Sequence, residues 1–186
     1  MHLVVQKRNK WQEAWESELT SLSKNNTWVL EPLPAERNGI AHHWLFRRKE
    51  DGRYEARLVA KGYSQKLGID YQESFAPVAK FTTIGTLLAL GCERDWDIQG
   101  MEVKTAFLNS ELEETVYMEV PERVPIPSPA AIPEYQSAMA CHLLKSIYGL
   151  KQSPQAWYGR IDNFFAPTIS PVVTPNIVYL LTMSNM

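Results

Sequence analysis

The sequence predicts an α+β fold in which helices pack against antiparallel strands. Residues 10–24 place apolar side chains at helical spacing, whereas residues 43–62 alternate like two strands joined by a tight turn. The chain has 186 residues, of which 45% are hydrophobic, enough for one ordinary globular domain. Its formal net charge of −2 gives no overall attraction to nucleic acid.

The first predicted element is an amphipathic helix near residues 10–24. Trp11 and Trp15 lie on its apolar face, which we interpret as core rather than as a platform for a ligand. Asn25 and Asn26 end the helix, and residues 27–30 then predict a strand that the following prolines stop.

A β-hairpin is predicted next, with arms at residues 43–49 and 54–62. Gly52 supplies the positive φ that the reversal between the arms requires. Arg57 and Lys61 share one face of the second arm, about 13 Å apart. Two cations at this distance could span a triphosphate or a template backbone. The alternative is an exposed strand face kept soluble by charge.

The middle of the chain predicts a helix, capped by Thr82 or Thr83, beneath a strand at residues 98–103. Apolar residues of this strand flank Glu102, which we expect to point inward, while Asp97 precedes the strand at the surface. A carboxylate followed by a tight turn can hold a metal ion and a phosphate together, because turn N–H groups face the phosphate oxygens. The alternative is an acidic residue on a half-buried strand.

The last third predicts a strand at residues 113–120, a proline-rich surface loop at residues 121–133 and a second helix. Ser153 would cap that helix, with Pro154 at its first position. Its apolar face would comprise Trp157, Ile161, Phe164 and Phe165.

Charge and cysteine usage narrow the class of protein. Residues 43–66 contain seven basic and three acidic side chains, and residues 93–122 contain nine acids and two bases. A basic lobe facing an acidic lobe suits a polymerase, although ordinary solvated charge is the alternative. Cys92 and Cys141 form no CxxC pair, which favours reduced thiols in an intracellular protein. Neither a signal peptide nor an apolar run long enough to span a bilayer is visible, so we expect no membrane contact.

Several segments resemble the copia-type retrotransposon reverse transcriptase. The run Ala56-Arg-Leu-Val-Ala-Lys-Gly-Tyr63 is similar to the fingers of that family nearly residue for residue, as is Phe75-Ala-Pro-Val78. Ala106-Phe107-Leu108 and Val116-Tyr117-Met118 resemble its palm. The resemblance covers residues 11–165 and implies an incomplete right-hand polymerase, with a fingers hairpin and a partial antiparallel palm sheet packed on helices. Residues 1–10 would be an N-terminal extension, and residues 166–186 a divergent, truncated C-terminus.

The resemblance also implies an activity and a set of site residues. The activity is RNA-directed DNA synthesis in the cytoplasm, with magnesium, deoxynucleotides and an RNA/DNA primer-template. Glu102 stands where the family has its first catalytic aspartate and would be both a catalytic residue and part of an incomplete metal site. The implied substrate-binding residues are Arg57, Lys61, Thr105, Ala106, Phe107 and Gln152.

Three of these roles are specific. The backbone N–H groups of Thr105 and Ala106 would face the triphosphate, and Phe107 would be the flat aromatic gate against the 2′-hydroxyl. Gln152 would lie near the incoming nucleotide and template. Spacing alone would make Phe107 a core residue, and a solvent-satisfied residue at the start of the helix is the alternative for Gln152.

The sequence departs from the family pattern in ways that bear on activity. Glu102 is one methylene longer than aspartate, Gln155 stands where the family usually has arginine, and the Tyr-Val-Asp-Asp box with the other two carboxylates does not occur. Because nucleotidyl transfer through two metal ions depends on those carboxylates, we predict a truncated copy that is inactive by itself. A non-catalytic nucleic-acid-binding remnant is the second interpretation, and an unrelated α+β interaction domain is the third.

Overall fold

The protein has the α+β fold that the sequence predicts. A computed structural model describes the backbone of residues 2–125, 139–165 and 177–183 and the side chains of residues 8–125 and 139–165. Most of the predicted proline-rich loop lies outside the described residues. The elements are α1 (His2–Lys24), β1 (Trp28–Pro32), β2 (His42–Arg48), β3 (Tyr54–Ala60), α2 (Phe81–Glu93), β4 (Asp97–Val103), β5 (Glu111–Glu119), β6 (Met139–Lys145), α3 (Ser153–Phe165) and β7 (Ile177–Met183).

Helix α1 packs along the hairpin formed by β2 and β3. It begins before the predicted start at residue 10, and Asn26 closes it in the left-handed conformation, with φ of 50°. Trp11 lies edge-on to Tyr54, with ring centroids 4.4 Å apart, and Trp15 lies 5.2 Å from Trp44. The two tryptophans therefore pack against the hairpin, as expected for core residues.

The hairpin confirms the predicted alternation. Strands β2 and β3 pair antiparallel from His42 opposite Ala60 to Arg48 opposite Tyr54, and Gly52 has φ of 84° in the turn. The apolar face of β3 is fully covered by α1 and the sheet core, because every second residue of a strand points to the same side. The covered residues are Ala56, Leu58 and Ala60.

The central sheet has the strand order β1-β6-β5, antiparallel throughout. Val116 and Met118 of β5 lie beside Cys141 and Leu143 of β6, and all four are buried in the main core. Leu58 of β3 joins the same cluster. The core therefore ties the hairpin, α1 and the sheet into one body.

Helix α2 and strand β4 form a less covered part of the molecule. The predicted caps Thr82 and Thr83 are wrong, because both lie in the first turn and Lys80 occupies the capping position without a side-chain hydrogen bond. Strand β4 pairs in parallel with β7. A Cβ added at Gly91 of α2 would lie 3.0 Å from the Ile98 side chain, so the helix end does pack on the strand as expected.

The start of α3 also differs from its prediction. Ser153 is buried, and its hydroxyl donates to the carbonyl of Ile147 at 2.6 Å instead of accepting from a helix N–H. Trp157 and Ile161 face the core as predicted, whereas Phe164 is exposed. None of the helices in the described residues is both long and apolar enough to cross a membrane.

Candidate active site

Several of the predicted site residues converge on Tyr148, in the turn between β6 and α3. The guanidinium carbon of Arg57 lies 5.1 Å from the centre of the Tyr148 ring. Phe107 packs edge-on against the same ring, with centroids 4.8 Å apart. Ala106 and Trp157 complete this second buried cluster. Strand β3, the turn after β4 and the start of α3 thus meet at a single aromatic side chain.

A close backbone contact fixes this meeting point. The N–H of Ala60 donates to the carbonyl of Tyr148 at 2.8 Å. A Cβ at Gly62 would lie 2.0 Å from the carbonyl oxygen of Gly149, and Gly149 itself has φ of 92°. Only glycine allows both the approach and this conformation without strain, so these two glycines set the position of Arg57 relative to Tyr148.

Arg57 is held between carboxylates. Its side chain is only 14% exposed, and Nη2 donates to Glu55 Oε1 at 2.8 Å. Nη1 lies 3.7 Å from Oε2 of Glu18, which comes from α1. Burial raises the pKa of the Tyr148 hydroxyl, and the carboxylates of Glu18 and Glu55 add to this, while Arg57 opposes it. The exposed-face alternative for Arg57 is therefore wrong.

Lys61 does not continue the strand face of Arg57. Strand β3 ends at Ala60, and Lys61 lies in the following turn, half-buried, where its N–H donates to the carbonyl of Ala41 at 2.8 Å. Its carbonyl accepts the N–H of Ser64. Because the alternation stops one residue earlier, the 13 Å spacing along a straight strand does not apply.

The turn after β4 combines strain with burial. Thr105 has φ of 51° and ψ of 43°, a left-handed conformation that is uncommon for a β-branched residue. Its carbonyl accepts from the N–H of Leu108 at 2.9 Å and from Asn109 Nδ2 at 3.1 Å. Ala106 is buried directly after it. The triphosphate contact expected of Thr105 and Ala106 stays a prediction.

Phe107 occupies the core position that its spacing indicates. It is 6% exposed, and its carbonyl accepts the hydroxyl of Ser146 at 2.7 Å. Its ring rests on Tyr148. The gating role that the resemblance implies for Phe107 stays a prediction.

The inward orientation predicted for Glu102 is wrong, because its side chain is exposed. Met101 and Val103 turn to the opposite side of β4, and Gly91 of α2 lies against the Ile98 side chain. Asp97 alternates onto the side opposite Glu102 and accepts from Gln99 Nε2 at 2.8 Å. Across the described residues, no three His, Cys, Asp or Glu side chains cluster as a metal site would require.

Gln152 belongs to a buried network rather than to a solvent-facing surface, so the solvent alternative is wrong. Its Oε1 accepts from Gln65 Nε2 at 2.9 Å, and its Nε2 donates to the carbonyl of Asp70 at 2.9 Å. Gln65 Oε1 accepts the N–H of Lys151 at 2.8 Å, and Lys151 Nζ lies 4.7 Å from the ring centre of Tyr71. The network clamps residues 65–71 onto the start of α3.

A groove of about 1130 Å³ runs beside this network. Its lining comes from residues 68, 69, 72 and 73, the beginning of β5 and α3, together with Gln152. Both acidic and basic side chains line it. They include Glu73, Glu113, Arg37 and Arg160.

Sequence reasoning missed three residues of the site. Tyr148 and Gln65 both lie within residues 11–165, the range that the resemblance covers, but neither was proposed as a site residue. The glycine after Tyr148 was the signal available, because a glycine beside an aromatic residue indicates a close backbone approach. Nothing in the sequence marked Glu18, which reaches Arg57 from a separate element.

Comparison with known proteins identifies the sequence family of the chain. The sequence model of the family described as reverse transcriptase (RNA-dependent DNA polymerase) matches residues 25–172. The retrovirus-related Pol polyprotein from transposon TNT 1-94 of Nicotiana tabacum is 43% identical over 162 residues, which are 84% of this chain and 12% of that polyprotein.

Two further relatives come from Arabidopsis thaliana. The Pol polyprotein from transposon RE1 is 40% identical over 164 residues, 85% of this chain and 11% of the polyprotein. That from transposon RE2 is 41% identical over 168 residues, 87% of this chain and 11% of the polyprotein. The chain therefore spans only a small part of the curated relatives that it matches. No solved structure matches it.

Proposed function

The chain belongs to the reverse transcriptase (RNA-dependent DNA polymerase) family of copia-type retrotransposons, and from this we propose that residues 11–165 form the fingers and the first half of the palm of a right-hand polymerase. Residues 1–10 are then an extension, although α1 runs through that boundary without a break. Residues 166–186 are the divergent C-terminal part.

The observation that carries the proposal is the joint contact of Arg57 and Phe107 with Tyr148. It supports a nucleotide pocket in which Arg57 binds the triphosphate and Phe107 faces the sugar. Gln152 then supports the pocket from below through Gln65, because its amide is occupied by protein groups. The primer-template would lie against the hairpin of β2 and β3.

Magnesium ions, when bound to a polymerase of this kind, activate the attacking hydroxyl and stabilise the leaving oxygen. Magnesium needs near-octahedral oxygen coordination, and the described carboxylates do not converge on such a site. Glu102 would supply one ligand from the end of β4. We therefore propose that these 186 residues do not catalyse nucleotidyl transfer by themselves.

Primer extension on the purified chain tests this part of the proposal. An RNA template with a DNA primer and all four deoxynucleotides is incubated first with magnesium and then with manganese. We expect no extension beyond background with either ion. Processive extension that Glu102→Ala abolishes would contradict the proposal and would establish Glu102 as a catalytic residue.

Binding of nucleic acid by the hairpin is a second candidate function. Arg47, Arg48 and Lys66 are exposed along the hairpin and its continuation. With about three phosphate contacts, the logarithm of the affinity should fall linearly with the logarithm of the salt concentration, with a slope of about −2 to −3. Fluorescence anisotropy with a labelled oligonucleotide, at salt concentrations from about 50 to 200 mM, measures the slope. Binding that does not change with salt would count against it.

A further inference from the structure

Glu18 is a buried carboxylate that the proposed function does not use. It lies on α1 and is 8% exposed. Its Oε1 accepts the N–H of Leu58 at a long 3.4 Å, and its Oε2 is 3.7 Å from Arg57 Nη1. These contacts are longer than those that usually stabilise a buried charge. Burial raises the pKa of Glu18 above its ordinary value of 4.5, against the opposing effects of Arg57 and the Leu58 N–H.

The surroundings of Glu18 consist of the groups that hold Arg57. Glu55 accepts from Arg57 Nη2 at 2.8 Å and also lies 3.4 Å from Lys49 Nζ. The Tyr148 ring lies against the guanidinium from the other side. Arg57 is therefore shared between two carboxylates, of which Glu55 is the closer and Glu18 the more buried.

We propose that Glu18 is a positioning residue that sets how strongly Arg57 takes a triphosphate group. Its carboxylate holds the guanidinium against the Tyr148 ring and offsets part of its charge. A phosphate that approaches Arg57 must compete with Glu18 as well as with Glu55. The inference rests on the proposed function, in which Arg57 binds the phosphates of the incoming nucleotide.

The electrostatic role predicts a dependence on pH that packing alone would not give. The ionisable groups that face Glu18 are Arg57 and Glu55 from β3 and Tyr148 from the turn before α3. The pKa of the Tyr148 hydroxyl is raised, so Tyr148 stays neutral over the pH range of this experiment. As pH falls and Glu18 takes up a proton, one competitor of the phosphate is neutralised, and binding at Arg57 strengthens.

Calorimetric titration with inorganic tripolyphosphate, without metal, tests this on the full chain. Glu18→Gln keeps the shape of the side chain and an acceptor for Leu58 but removes the charge. We expect it to tighten binding about tenfold at pH 7, the effect of one charge removed at a partly screened distance. Glu13→Gln is the matched control, because Glu13 lies exposed on the same helix, and it should leave binding unchanged. Arg57→Ala should abolish binding.

A second measurement uses the unsubstituted chain. Lowering the pH from 7 to about 5 should strengthen its binding of tripolyphosphate by a larger factor than it strengthens binding by Glu18→Gln. The titration of the ligand affects both proteins equally, so the difference reports the protonation of Glu18. If Glu18→Gln does not fold, as judged by circular dichroism, Glu18→Met, which has a side chain of similar length without a carboxylate, serves as the reference for this series. An equal pH dependence in the unsubstituted chain and the reference would overturn the role of Glu18.

The outcomes separate this inference from the proposed function. If Glu18→Gln binds tripolyphosphate no more tightly, while Arg57→Ala still abolishes binding, Glu18 has no such role and the proposed nucleotide pocket stands. If binding does not depend on Arg57, or if no variant binds, both the pocket and the role of Glu18 are wrong.

Discussion

Arg57 shows how one side chain can join separate parts of the molecule. Its guanidinium contacts Glu18 of α1, Glu55 of β3 and the ring of Tyr148. A buried charge of this kind is retained only where partners compensate it. The compensation is uneven. Glu18 is buried and its two polar contacts are 3.4 and 3.7 Å long, whereas those of Glu55 are 2.8 and 3.4 Å long. The imbalance should be measurable in the stability of the chain.

Glu18→Gln is expected to raise the melting temperature at pH 7 by a few degrees. The folded pKa of Glu18 lies above its ordinary 4.5, so the folded chain binds more protons than the unfolded chain between those values. The stabilisation this provides is complete below pH 4.5 and is lost as pH rises through the folded pKa. Scanning calorimetry at pH 4 and pH 7 measures this difference. The unsubstituted protein and Glu18→Gln should have the same melting temperature at pH 4. A lower melting temperature for Glu18→Gln at pH 7 would contradict the argument.

The two cysteines should differ sharply in reactivity. Cys141 is fully buried in β6, and burial raises its pKa to about 12, while Cys92 is exposed at the end of α2. Because the thiolate is the reactive form, a disulfide reagent at pH 8 should modify one thiol per folded chain quickly and the second only on denaturation. Cys92→Ser should leave the folded chain without a fast thiol. Fast modification of both cysteines would show that the central sheet opens readily.

At this scale, the sequence identified residues better than their surroundings. The strand pattern indicated Arg57 as a candidate and the family resemblance added Phe107 and Gln152, and the structure brings Arg57 and Phe107 together at Tyr148. Their partners could not be predicted, because Glu18 and Gln65 come from elements that alternation within one strand does not relate to the site. The exposure of Glu102 was also beyond the pattern, since it depends on how other elements pack on β4.

At the scale of elements, direct backbone contacts join the base of the hairpin to the turn before α3. The Ala60 N–H donates to the Tyr148 carbonyl, and Gly62 approaches Gly149 so closely that no side chain fits between the two backbone segments. The amide pair of Gln65 and Gln152 continues the joint by one further turn. A substitution in the joint should therefore destabilise more than one element.

Gly62→Ala is expected to lower the free energy of unfolding by about 3 kcal/mol. The added Cβ would meet the Gly149 carbonyl oxygen at 2.0 Å, and backbone cannot easily move aside. Gly159→Ala is the control, since a Cβ there meets nothing within 4 Å on α3. The control should be neutral or stabilising by about 0.5–1 kcal/mol through helix propensity. Urea denaturation measures the free energy of unfolding of both variants. Equal values for Gly62→Ala and Gly159→Ala would show that the close approach of Gly62 to Gly149 does not stabilise the fold.

Local patterns predicted these elements well and their ends less well. The hairpin, β5 and the interior of α3 follow their expected ranges because strong periodicity reports burial. The caps of α2 and α3 were wrong because α2 begins before Thr82 and because the Ser153 hydroxyl donates to the Ile147 carbonyl. The start of α1 was placed late because its first turns carry no apolar stripe.

At the scale of the whole molecule, burial is unequal. The core joins α1, the hairpin and the central sheet, whereas α2 has only Gly91 fully buried. The segment before α2 and the first residue of the helix also expose large apolar side chains. They include Phe75, Val78 and Phe81. Exposed apolar surface of this extent promotes association.

Phe81→Asp is expected to reduce binding of an apolar dye and to raise solubility without lowering the melting temperature. Phe81 is 87% exposed in the first turn of α2, where a negative charge is favourable. Thr82→Asp adds the same charge one residue later without removing apolar surface and serves as the control. Dye fluorescence and light scattering measure the difference. A lower melting temperature for Phe81→Asp alone would show that the side chain is covered in solution.

Global pairing was the least predictable level. The α+β class followed from local periodicity, but the parallel pairing of β4 with β7 did not. Strand β7 was visible only as a short apolar run, and nothing in that run states its partner or direction. Which distant elements pair depends on how the whole core packs, and local patterns in a single sequence do not predict that packing.

The direct backbone contact of Gly62 with Gly149 has a mechanical consequence. Because no side chain separates the two backbone segments, the base of the hairpin cannot bend independently of the turn that leads into α3. A displacement of the hairpin base would therefore also displace the start of α3. Bending on engagement of a ligand would then be confined to the outer arms, between Arg47 and Tyr54. A spectroscopic label at Gly52 should report such bending, whereas one near Ser64 should remain silent.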